Sequence, residues 1–152
     1  MKKPIKDYLL VTIQIILFGL YVLDYEVISF TLPIFVNSIG SLLLFLGVII
    51  GLIAVIQLNS SLSPFPTPIK KGSLVQSGVF SLVRHPIYFA LICCSFGYGI
   101  SENSEYKILL SILLLILFNY KSKYEENLLI EKYVEYKTYM SNTGRLFPIV
   151  FR

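Results

Sequence analysis

The chain has no tryptophan, one histidine and two cysteines in 152 residues. One imidazole and two adjacent thiols, Cys93 and Cys94, do not make a transition-metal centre, so no metal is expected. Neighbouring cysteines inside an apolar run do not suggest a structural disulfide either; they read as small packing residues. Charge is also scarce, at 14% of residues, where a soluble domain carries roughly 25%. The net charge of +4 is not gathered with exposed aromatics into a basic module, which argues against nucleic acid as a partner. The glycine-rich dinucleotide fingerprint, the phosphate-binding loop and the GxSxG elbow are all missing.

What the sequence has in plenty is apolar side chains, 55% of the total, with a mean hydropathy of +0.73. They come in blocks of membrane-crossing scale. The expected fold class is an all-α integral membrane protein, one domain over residues 1–152. Its four spans are expected at about 9–25, 39–58, 86–101 and 106–120. A loop over 59–85 and a tail over 121–152 lie between and after them. All of the 13 Lys and Arg except Lys107 fall in the segments 1–8, 59–85 and 121–152. Asp24, Glu26, Glu102 and Glu105 fall in the other loops. This bias puts both termini and the 59–85 loop in the cytoplasm. Lys2, Lys3 and Lys6 precede a run with no small-residue cleavage site, which reads as a retained first span.

Gly47-x-x-x-Gly51 and Ala90-x-x-x-Cys94 offer close helix packing within the chain, with a homodimer seam as the alternative use. Pro64, Pro66 and Pro68 force an extended or turning path on the loop. Beyond residue 120, apolar and tyrosine positions recur at three- and four-residue spacing. This predicts an amphipathic tail helix lying on the membrane face and ended by Gly144.

Polar groups at a membrane entrance are costly and therefore suggest a site. Arg84-His85-Pro86 stands where the third apolar block begins. Pro86 suits the first turn of a helix, whose free N–H groups favour an anion such as a carboxylate. The alternative is that Arg84 snorkels to lipid phosphates and His85 merely caps the helix. The second group, Lys121–Glu126, stands at the end of the fourth block. Lys121 and Glu125 would be one turn apart on one face, and Glu125 and Glu126 are expected on different faces. The alternative there is a solvated helix surface. The third and fourth blocks are nearly equal in length and joined by only Ser101–Glu105, so His85 and Glu125 should return to the same side of the membrane.

The string LVQSGVFSLVRHPIY, followed by an apolar hairpin and an EE-x-x-L segment, resembles the isoprenylcysteine carboxyl methyltransferase family. That family is related to the integral-membrane phospholipid methyltransferases. The resemblance runs from about Pro64 to Pro148. It implies a multi-span enzyme using S-adenosylmethionine without a dinucleotide-binding domain. Carried over residue by residue, it implies that Leu74, Val75 and Phe80 line a cofactor cleft. His85, Pro86, Ile87 and Tyr88 would form the main cofactor-binding turn, and Glu125 would bind the cofactor from the other helix. Lys121 falls where some relatives carry an arginine for the substrate carboxylate, and Arg145 is a second candidate for an anionic substrate group. The chain departs from the pattern at Phe80, where tyrosine is usual, at Ala90, where glycine is common, and in a shorter tail helix.

The residue chemistry accords with methyl transfer to a lipophilic acceptor entering from the lipid bilayer. A carboxylate acceptor needs a cation to orient it and no general base, hence Lys121 or Arg145. An amine acceptor must lose a proton, and Glu126 is the available base. Carboxyl methylation of an isoprenylcysteine-like acceptor leads. Phospholipid amine methylation comes next, then a non-catalytic four-helix transporter or scaffold. The transporter reading is disfavoured because the spans carry no central ionisable residue.

Overall fold

The computed structural model describes residues 3–25 and 31–149. Among these residues it is all-helical: α1 (Ile5–Val22), α2 (Ile34–Leu58), α3 (Pro86–Ser101), α4 (Glu105–Lys132) and α5 (Tyr136–Asn142), with short 3-10 turns at Asn59–Ser61 and Gly78–Ser81. The expectations for Lys2, Glu26 and Arg152 lie outside the described residues.

The helices start where local chemistry favours a start. α2 follows Pro33 and α3 opens on Pro86, a residue that fits a first turn because its missing N–H would be unpaired there. At α4 the Ser104 hydroxyl accepts the Lys107 N–H at 3.3 Å, a side-chain cap on one of the orphan donors. Asn103 makes the α3–α4 turn with φ 54°, a left-handed conformation that asparagine tolerates. Its Oδ1 accepts the Leu32 N–H at 2.7 Å and so ties the approach to α2.

α2 and α3 lie against one another at small residues. A Cβ on Gly97 would stand 2.5 Å from the Leu44 backbone nitrogen and 2.7 Å from the Gly40 carbonyl oxygen; one on Gly47 would meet Cys94 Sγ at 2.8 Å. The Gly47 and Gly51 face is therefore taken by α3 of the same chain. Both cysteines are free and serve as small packing residues. α1 and α4 close the bundle around Leu10, Leu17, Ile92, Leu114 and Phe118. At the far end Tyr21 donates to the Ser95 carbonyl at 2.5 Å. Lys107, the one cation outside the basic segments, pairs with Asp24.

α1 and α2 are long and apolar enough to cross a membrane, with mean hydropathies of 1.7 and 2.9. Much of their apolar surface faces outward, including Ile15, Ile16, Leu42, Phe45, Leu52 and Ile56. Water disfavours so wide an apolar face.

Three boundaries differ from the sequence reading. α1 begins at Ile5 rather than near residue 9, because Asp7, expected as a flanking charge, is buried and accepts the Thr67 N–H at 3.1 Å. α2 begins at Ile34 rather than 39, directly after its proline. The tail does not start a separate helix at 121. α4 runs on to Lys132, and α5 ends at Asn142, before Gly144. Tyr136 and Tyr139, expected on a membrane-facing surface, are buried. The three- and four-residue spacing reported an apolar face correctly, but that face packs inward.

The close α2–α3 approach is testable. Gly97→Ala forces backbone apart and is expected to cost about 1–3 kcal/mol of stability, read as a lower thermal midpoint in detergent. Gly19→Ala, with nothing within 4 Å of the added carbon, is expected to leave the midpoint unchanged or slightly higher.

Candidate functional site

The segment entering α3 is held from behind by the chain's C-terminal part. Val83 and Gly144 form a parallel bridge. The Arg84 N–H donates to the Gly144 carbonyl at 2.8 Å, and the His85 N–H donates to the Arg145 carbonyl at 3.1 Å. Backbone on both sides is thus fixed before any side chain is considered.

Arg84 turns inward. Its Nε donates to Glu126 Oε1 at 2.6 Å. Its Nη1 donates to the Met140 carbonyl at 3.0 Å and to the Thr143 carbonyl. The side chain is 8% exposed, so it does not snorkel to lipid phosphates. His85 does not cap α3 with its side chain. Its ring lies between two carboxylates, with Nδ1 3.8 Å from Glu125 Oε2 and Nε2 3.6 Å from Glu126 Oε1. Both separations are longer than hydrogen bonds, and Nε2 is buried without a hydrogen-bond partner. Tyr88, one turn into α3, donates its hydroxyl to Glu125 Oε2 at 2.8 Å. The rings of His85, Tyr88 and Phe118 stack in series, with centroids 5.3 Å and 4.9 Å apart.

Glu125 and Glu126 therefore both face His85, contrary to the expectation that they would diverge. Successive residues of a helix stand about 100° apart, and an imidazole is wide enough to sit between them. The two carboxyls are driven in opposite directions. Burial pushes Glu125 up from its ordinary value, against the pull of His85, the Tyr88 hydroxyl and Lys121. Burial would raise Glu126 as well, but His85 and the Arg84 guanidinium outweigh it and hold Glu126 below its ordinary value. Neighbouring carboxyls split in this way take different protonation roles.

A cavity of about 340 Å³ opens beside this array. Leu74, Val75 and Phe80 form its loop side. His85, Pro86, Ile87 and Tyr88 form its α3 side, and Lys121 and Glu125 its α4 side. Every residue expected to bind a cofactor is on its wall. Lys121 is buried, and its Nζ donates to Gln14 Oε1 at 2.5 Å and to the Pro64 carbonyl at 2.8 Å. Two expected residues are not on the wall. Glu126 stands behind His85, occupied by Arg84. Arg145 turns to the opposite side of its segment, donates to Asn119 Oδ1 at 2.5 Å and lines a different groove. Its backbone, not its guanidinium, serves the site.

The sequence reading missed several wall residues. Tyr133, Tyr136 and Tyr139 close the cavity from the end of α4 and from α5. Tyr133 donates to the Gly72 carbonyl at 2.6 Å, and Tyr139 to the Phe80 carbonyl. The Tyr136 hydroxyl is buried with no partner. Their shared spacing of three was the available signal. Gln14 gave none, since a single amide in an apolar helix is common. Of the two single-residue departures from the family pattern, Phe80 is on the wall, whereas Ala90 faces Gly51 of α2, where an added Cβ would stand 3.3 Å from the Ala90 Cβ.

The cavity suits a ligand carrying both charges. Its volume is in the range of small-molecule sites. The first N–H groups of α3 have no helical acceptor and favour an anion. Glu125 accepts from hydroxyls or a cation, and Phe80 and the three tyrosines add aromatic surface to the wall. The residues present therefore fit a zwitterionic or mixed-charge cofactor. The phospholipid methyltransferase family model matches residues 35–136, about two thirds of the chain. The match includes the loop, α3 and α4 sides of the cavity and leaves out α1. A comparison with curated proteins finds no match.

The opposed carboxyls give opposite expectations. Glu126→Gln leaves the buried Arg84 without its counter-charge and should cost about 3–5 kcal/mol. A depressed carboxyl stabilises the fold above its unfolded value and ceases to do so as pH falls through the folded one. The penalty should therefore be full at pH 7 and vanish below the ordinary carboxylate range. Glu125 is raised, so its ionisation opposes folding once pH exceeds the ordinary value. Glu125→Gln, which keeps an acceptor for Tyr88, is expected to hold or raise the thermal midpoint at pH 7. Melting of both variants between pH 3 and 7 checks the pair.

Proposed function

The chain belongs to the phospholipid methyltransferase family, whose members are integral-membrane methyltransferases acting on lipophilic substrates, and on that footing we propose that it is an S-adenosylmethionine-dependent methyltransferase working at the cytoplasmic membrane face. The observation that carries this reading is the single cavity walled by His85–Tyr88, Glu125 and Lys121. We read α3 and α4 as crossing the membrane with α1 and α2, which makes four spans with both termini cytoplasmic and the cavity at the inner surface.

The donor supplies an activated methyl group. The chain's part is to bind, orient and keep water out. The N–H groups at the start of α3 suit a carboxylate, Glu125 suits an ammonium or ribose hydroxyls, and the aromatic ring of Phe80 on the wall suits adenine or the sulfonium. Methyl transfer is an in-line displacement, so alignment and a dry cavity dominate the rate.

We favour a carboxylate acceptor of the isoprenylcysteine kind. Lys121 is on the cavity wall with two of its three donors used, leaving one for an acceptor oxygen. Glu126, the base an amine acceptor was expected to use, is occupied by Arg84 off the cavity wall. A second reading, phospholipid amine methylation, draws on the family description and on Glu125, a carboxyl on the wall that burial makes a stronger proton acceptor than an ordinary one.

Calorimetric titration of the detergent-solubilised chain with S-adenosylmethionine should show saturable binding. His85→Ala and Glu125→Ala should each weaken it at least about tenfold, roughly one charge-assisted hydrogen bond. No binding by the wild type at millimolar donor overturns the reading. With labelled methyl donor, Lys121→Met should raise KM for a prenylated cysteine acceptor by more than it weakens donor binding. Turnover confined to an ethanolamine phospholipid would instead establish the amine reading.

A further inference from the structure

A second groove lies on the outer side of the segment that props His85. It measures about 690 Å³, and its walls include Leu115, Ile116 and Asn119 of α4 and Arg145, Phe147 and Ile149 of the C-terminal segment. Above it, Leu109, Ile112, Leu113, Ile116 and Tyr120 are exposed along α4. They recur at helical spacing, so they form one apolar stripe. Arg145 stands at the end of that stripe, beside Asn119. Among the described residues it pairs with no carboxylate, unlike Arg84 on the same groove, which is fully engaged inward.

An apolar track ending at one uncompensated guanidinium matches an amphiphile with an anionic head. We propose that this groove seats an anionic phospholipid, its phosphate on Arg145 and an acyl chain along Ile116, Leu113 and Leu109. The inference takes α4 to cross the bilayer, as proposed above, and is independent of methyl transfer. Arg145 is thereby assigned to the surrounding lipid rather than to the acceptor. The seat also bears on the cavity, because the Arg145 carbonyl accepts the His85 N–H and the adjoining Gly144 carbonyl accepts the Arg84 N–H. A lipid that orders Arg145 steadies the backbone under the imidazole.

The test uses the full chain in neutral phosphatidylcholine nanodiscs doped with fluorescent phosphatidylglycerol or fluorescent phosphatidylcholine, with energy transfer from dye to protein-bound label as the readout of retention. The wild type should prefer the anionic lipid about fivefold, the scale of one basic side chain at a membrane surface. Arg145→Gln should fall to parity, Arg145→Lys should keep most of the preference, and Lys70→Gln, a cation removed from the exposed loop, should keep all of it. Phosphatidylglycerol should raise the thermal midpoint of the wild type and not that of Arg145→Gln, which also shows that the variant folds. Equal retention of the two lipids by the wild type overturns the proposal. So does an equal loss in Lys70→Gln, which would mean general surface attraction, or full competition by millimolar inorganic phosphate, which would mean a free-anion site. Donor binding measured on the same samples separates a failure here from a failure of the methyltransferase reading.

Discussion

Arg84 is the constraint to which the rest of the site answers. A guanidinium cannot shed its charge, and a buried one without partners is strongly destabilising. Here the partners come from two directions: Glu126 from α4 and the Met140 and Thr143 carbonyls from α5 and the turn after it. Satisfying one cation therefore fixes the phase of α4 against α3 and draws the C-terminal segment under the start of α3. Glu126 is kept ionised by this duty. Glu125, one residue earlier, carries no such duty and is free to face the cavity with a raised affinity for protons.

The same arrangement explains why the two carboxylates are not interchangeable. His85 is stacked on Tyr88, and Tyr88 is bonded to Glu125, so the cavity side of the imidazole is ordered by aromatic contact and a hydroxyl. Its other side is ordered by the Arg84–Glu126 pair. The cavity then has an acidic group, an imidazole whose Nδ1 stands 3.8 Å from that group and a lysine held by Gln14 and Pro64. α1, outside the family match, supplies both Gln14 and the Asp7 anchor of the proline loop. The proline loop is thereby part of the binding wall, pinned at Thr67 by Asp7 and at Gly72 by Tyr133.

Much of this was legible in the sequence, and the rest was hidden for identifiable reasons. The apolar blocks and the short Ser101–Glu105 turn placed His85 and Glu125 at one end of a helical hairpin, because two antiparallel apolar blocks of similar length return to the same level. Pro86 marked the start of α3 to the residue. Periodicity could not say which way the tail's apolar face would turn, since a face that buries tyrosines in the protein and one that lies on lipid share the same spacing. It also could not reveal that Arg84 bonds inward, because a snorkelling arginine and a buried one are identical in sequence. Arg145 was displaced from its expected role for a geometric reason: its carbonyl is committed to His85, which sends its side chain to the far side.

The central claim is that a methyl donor binds beside the imidazole. His85 is the chain's only histidine, so a ring-labelled sample gives one imidazole signal, free of assignment problems. Titrating S-adenosylmethionine into that sample in detergent should shift the His85 resonances saturably, at the concentration where calorimetry reports binding, and the Glu125→Ala chain should need at least about tenfold more donor for the same shift. An imidazole signal that stays fixed while the donor demonstrably binds would place the donor elsewhere and contradict the account.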